Sequence, residues 1–154
     1  MSSAIRGADP LTPGRVLVLA GVYNTRFHLV RFGDTLKFRL PGFQVAIRSW
    51  GIPLLSLYNL SAYRRNLEKA KRFADELAEC RQRFSDRPLC LVGHSGRGGL
   101  AILTVAALPE AVSVDRLVLV APAISPAYPL REALLPHVSE FVANFASEKD
   151  LQVN

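Results

Sequence analysis

The sequence is short of histidine, of cysteine and of any long apolar run, and each shortage removes a class of function. No stretch approaches the roughly 20 apolar residues of a membrane-spanning helix. The N-terminus has neither the apolar core nor the small-residue cleavage site of a secretory leader. The chain therefore reads as a soluble, cytoplasmic protein with no integral membrane segment. Cys80 and Cys90 are its only cysteines. They give neither a disulfide framework nor metal-ligand spacing, so no metal is expected and both read as buried, inert thiols. Acidic residues are outnumbered 13 to 19 by lysine and arginine, a balance of +6 that raises the question of a polyanionic partner. The basic residues are not interleaved with aromatics, however. Their densest group (Arg64, Arg65, Lys69, Lys71, Arg72) shares a stretch with Glu68, Asp75, Glu76 and Glu79. That pattern is a solvated helix face, and no nucleic-acid partner is expected.

What is present is a normal globular balance, 49% hydrophobic and 21% charged, in a length suited to one core. Residues 1–14, with Gly7, Asp9-Pro10 and Pro13-Gly14, form a turn-rich lead-in. Residues 15–154 form a single domain. Short apolar runs at 16–20, 89–92 and 117–121 are continuous rather than alternating, the mark of strands covered on both faces. Further strands are expected at 43–48 and 141–145. Between them lie helical stretches: 26–39, where periodicity is weak, a long helix from Ser61, one after Ser95 running to Leu108, and a short one near 130–135. In the long helix Tyr63, Leu67, Ala70, Ala74, Leu77 and Phe84 share a stripe that Arg81 interrupts. Strands alternating with helices imply an α/β fold, a three-layer α/β/α sandwich with a mostly parallel sheet of about five strands. Ligands of such sheets bind at the carboxyl ends of the strands. Gly21, Ser95, Pro122 and Asp150 all fall there, and one shared edge is expected for them.

The stretch from Leu89 to Leu100 carries the chemistry. An apolar run ends at Gly93, Ser95 follows, and Gly96, Gly98 and Gly99 introduce a helical segment. This is strand, sharp turn, helix, and it fits G-x-S-x-G at four of five positions. At so tight a turn the residues two before and two after the serine should be small. Gly93 is small and Arg97 is not. The run matches neither phosphate-binding glycine pattern: no lysine follows it, and no acidic residue ends the next strand.

With Gly93-His94-Ser95-Gly96 after one strand, Gly21-Val22 after the first, and Ser147-Glu148-Lys149-Asp150 after the last, the chain resembles the α/β-hydrolase family from about Arg15 to Asp150. The resemblance implies a serine hydrolase that cleaves a carboxylic ester, esterase- or lipase-like, without a cofactor. Ser95 would be the nucleophile and Asp150 the acid that orients a histidine. The oxyanion hole would combine the N–H of Gly96 with one from Gly21-Val22. Tyr23 and Phe27 would line an acyl pocket or else pack in the core, and the partner would be a small ester or lipid-like molecule.

The family order is serine, acid, histidine, yet His28, His94 and His137 all precede Asp150. His94 should diverge from the hydroxyl and fill space beside its strand. His28 should pack or line a pocket, and His137 should lie at the wrong end of the sheet. The expectation is a domain incomplete at its C-terminus, with a sheet edge left uncovered and open to pairing with a second copy. Two further readings stand beside the enzyme. One is a non-catalytic scaffold that binds a ligand, and the other an anion-binding module built on Arg97 and the helix N-terminus.

Overall fold

The computed structural model describes residues 13–20, 26–48, 63–122, 125 and 127–146, with the side chains of all but residues 26–30, 96 and 97. Among the described residues five strands and four helices follow one another: β1 (Arg15–Leu19), α1 (Arg26–Arg39), β2 (Gln44–Arg48), α2 (Tyr63–Arg83), β3 (Leu89–His94), α3 (Gly96–Ala106), β4 (Val114–Val120), α4 (Leu130–Leu134) and β5 (Val138–Phe145). Every strand pair is parallel, in the order β2-β1-β3-β4-β5. All carboxyl ends therefore lie along one edge. The α/β fold with its parallel five-stranded sheet is the one expected.

Alternation along the strands divides the core in two. Leu17, Leu19, Leu91, Leu117 and Leu119 face α2, α3 and α4, where they meet Ala74, Leu77, Leu100, Ile102, Val105 and Leu134. Val16, Val18, Cys90 and Val92 face the other way, toward Leu36 and Leu40 of α1 and the turn after it. Both thiols are buried, and burial pushes each above its ordinary value, so neither is a ready nucleophile.

Three local departures have physical reasons. The stripe on α2 buries Ala70, Ala74 and Leu77, but its first turn does not reach the sheet, and Tyr63 and Leu67 remain exposed. Arg81, which breaks the stripe, ties α2 to the sheet. It donates to Asp115 (2.8 Å) and to the carbonyls of Ser113 (3.1 Å) and Arg87 (3.1 Å). Asp115 also accepts from the Leu89 N–H (2.6 Å) and the Ser139 hydroxyl (3.0 Å). Burial alone would raise this carboxyl, but the Arg81 and Leu89 hydrogen bonds outweigh it and hold Asp115 below the usual carboxylate range.

β5 is longer than its apolar centre indicates. Val138 pairs with Val114 across a bulge, bringing polar Ser139 and Glu140 into the strand. It is an edge strand, with Phe141, Val142 and Phe145 exposed. The first strand begins one residue early, at Arg15. That side chain is 1% exposed, stacks 3.3 Å over the Phe84 ring, and leaves Nε and one terminal nitrogen without a hydrogen-bond partner.

Candidate active site at the carboxyl edge of the sheet

Ser95 stands between the last residue of β3 and the first of α3, with φ 58° and ψ −136°. Backbone of this kind is nearly confined to glycine, and costs an L residue of order 1–3 kcal/mol. It persists because both of its backbone groups are tied. The Ser95 N–H donates to the Val120 carbonyl (2.8 Å), and its own carbonyl accepts from the Gly98 N–H (2.8 Å). A serine before a helix is most often an N-cap, with extended backbone and its hydroxyl bonded to the first turn. Ser95 has neither feature, for its side chain makes no capping hydrogen bond. The hydroxyl of this half-buried residue is thus not spent on capping the helix.

Gly96 opens α3, so its N–H is among those that helix geometry leaves without an intrahelical acceptor, at the positive end of the dipole. The arrangement can place a nucleophilic oxygen beside a donor for developing negative charge.

The Arg97 side chain lies outside the described set, and a close steric demand is found at Gly98. A Cβ on Gly98 would come to 2.3 Å from the Pro122 Cβ and 2.6 Å from its Cα. Ser95 and Pro122 therefore share the carboxyl edge as expected. A further residue there carries no motif and was not legible: Ala121 adopts φ 47°, with its N–H bonded to the Phe145 carbonyl (2.7 Å). The only sequence signal for this close approach was the run Gly96, Gly98, Gly99 opposite a proline that ends a strand.

The histidines are distributed as follows. His94 ends β3 on the face shared with Val92, and its buried Nδ1 has no hydrogen-bond partner. His137 precedes β5 at the amino end of the sheet, with Nδ1 3.0 Å from the Val112 carbonyl. That is the edge opposite Ser95, as expected. His28 and Phe27 lie on α1 with side chains outside the described set. Gly21, Val22, Tyr23 and Asp150 fall outside the described residues altogether. Among the described residues no cluster of three or more metal-ligating side chains occurs, and no helix is long and apolar enough to cross a membrane.

A parallel five-stranded sheet with helices, carrying a strained serine at a strand-to-helix turn, is an α/β fold. Among solved structures the chain is similar to a Trichoderma reesei cutinase in complex with a C11Y4 phosphonate inhibitor, at TM-score 0.59 and 16% identity. The likeness covers 92% of this chain and 64% of the cutinase chain, and it is a likeness of fold. No protein-family model matches the sequence. No curated protein matches it either.

Proposed function

We propose that the protein is a serine hydrolase that cleaves a carboxylic ester through an acyl-enzyme on Ser95. The backbone of Ser95 carries this reading. A conformation that costs stability, held from both sides and with its hydroxyl not used to cap the helix, is what a nucleophile at a sharp turn requires. The fold shared with a cutinase bound to a phosphonate supports it.

The Ser95 oxygen attacks the ester carbonyl carbon as a histidine base takes its proton. Charge gathering on the carbonyl oxygen is met by the Gly96 N–H and by an N–H from Gly21-Val22. The carbon–oxygen bond then breaks, and the alcohol departs with the proton that the base returns. Water repeats the sequence on the acyl-enzyme, releasing the acid and restoring Ser95. Asp150 orients the base; the family places that histidine after the acid, whereas His28, His94 and His137 all precede Asp150 here. Tyr23 and Phe27 line the acyl side, and a small ester or lipid-like molecule is the substrate.

A second reading, a non-catalytic scaffold of the same fold, is favoured by one observation. His137 is held at the far edge, and His94 lies within β3. Intact-mass labelling with a fluorophosphonate separates the two readings. A single adduct on the native chain, absent in Ser95→Ala, is the expected result and would mean an activated serine whose base is a histidine of this sequence or of a second copy. A folded native chain that takes no adduct would leave the scaffold reading.

A further inference from the structure

The close approach of Gly98 to Pro122 belongs to no motif, yet it joins the two most unusual stretches of backbone in the described chain. On one side is the elbow, with Ser95 at φ 58°. On the other, β4 gives way to Ala121, whose φ of 47° turns the chain so that Pro122 lies across the first turn of α3. A methyl on Gly98 would meet the Pro122 Cβ at 2.3 Å, its Cα at 2.6 Å and its nitrogen at 3.5 Å. These are atoms of a rigid ring and of backbone, not the end of a flexible side chain, so they cannot move aside cheaply.

The same neighbourhood is pinned by hydrogen bonds. Gly98 donates to Ser95, Ser95 donates to Val120, and Ala121 donates to Phe145, all between 2.7 and 2.8 Å. The exit of β4 therefore holds Ser95 through Val120 and rests on α3 through Pro122, and β5 anchors the turn between them.

We infer that Gly98 and Pro122 are positioning residues for Ser95: their packing fixes where α3 begins relative to β4. It thereby holds the Ser95 backbone at φ 58° and ψ −136°, and with it the directions in which the hydroxyl and the adjoining Gly96 N–H face. This rests on the serine-hydrolase reading. The two groups belong to consecutive residues joined by fixed bonds, so separating α3 from Pro122 acts by rotating the Ser95 backbone, which turns both groups relative to a bound ester. A displacement of about 1 Å at such a site lowers reactivity by about a hundredfold.

The test is the second-order rate of fluorophosphonate labelling at Ser95, in the native chain, Gly98→Ala, Pro122→Gly and the double variant. Ser95→Ala serves as the blank, and far-UV circular dichroism confirms folding. Gly98→Ala is expected to label about ten- to a hundredfold more slowly while folded. The double variant should recover part of the loss, because the clash between the two Cβ atoms is gone while the 2.6 Å approach to the backbone at position 122 remains. Packing with a purely structural role would lower the unfolding midpoint without changing the rate of folded molecules or showing this rescue. Folded Gly98→Ala at the native rate overturns the inference. If Gly98→Ala does not fold, Pro122→Gly decides: slower labelling supports the inference, and the native rate overturns it. A folded native chain that takes no label overturns the serine-hydrolase reading and this inference together. A labelled native chain with unaffected variants overturns this inference alone.

Discussion

Replacing Ser95 by glycine should make the protein more stable while abolishing any reaction at the site. The residue sits at φ 58° and ψ −136°, at a cost of about 1–3 kcal/mol for an L side chain. Glycine reaches the same backbone without a Cβ clash, but its freer unfolded chain returns about 0.5–1 kcal/mol of that gain. The hydroxyl makes no capping hydrogen bond, so its removal gives up no bond in the first turn of α3. The net expectation is a gain of about 1 kcal/mol, or about 2–4 °C in the unfolding midpoint of a domain this size. Ser95→Ala keeps the strained backbone and should stay within about 0.5 kcal/mol of the native chain. Urea titrations followed by far-UV circular dichroism measure all three, with equal m-values as the sign that the folded and unfolded states are unchanged. The decisive quantity is the difference between the glycine and alanine variants, which share the loss of the hydroxyl and differ in strain. Alanine as stable as glycine would refute the idea that this turn stores strain, and with it the main support for a poised nucleophile.

Two other outcomes follow from groups far from Ser95. Asp115→Asn should cost about 1–3 kcal/mol at neutral pH, since a charged acceptor of the Arg81, Leu89 and Ser139 hydrogen bonds becomes neutral. The folded carboxyl lies below its ordinary value, so its contribution is complete above the unfolded pKa of about 4. It disappears as pH falls through the lower folded value, and the gap between native and Asp115→Asn should narrow there in urea titrations. Arg15→Met should be neutral or stabilising by about 1–3 kcal/mol in the same assay, because a 1% exposed guanidinium with two unpartnered nitrogens is replaced by a flexible apolar chain. A loss above about 2 kcal/mol would mean that the stacking on Phe84 outweighs desolvation.

The fold was legible because continuous apolar runs such as 16–20 and 89–92 carry one architecture, strands buried on both faces between helices. α1 (Arg26–Arg39) is legible despite weak periodicity, because Gly21 and Pro41-Gly42 bracket its stretch of sequence. What escaped was set by partners distant in sequence. Ser139 and Glu140 look like loop until β4 offers them a ladder across a bulge. Arg81 looks like a flaw in a helix until Asp115 and the strand-end carbonyls surround it. At the site, Ser95 announced itself through local spacing. The steric requirement at Gly98 did not, since it comes from Pro122, on the neighbouring strand's exit, rather than from the turn itself.

The strand order has a consequence for how the chain is made. β1 pairs with β2 through Leu17 and Ala46, but its other side waits for Leu91 of β3. During synthesis β1 and β2 emerge first, joined by α1, with their apolar faces and one edge unmatched while all of α2 is still being added. Pairings so distant along the chain form slowly, and the loop between them must close before any contact rewards it. The nascent protein therefore passes through an interval in which an open, apolar β1 edge is its most adhesive surface. A strand enclosed on both sides in the finished sheet is the most vulnerable segment of the unfinished one.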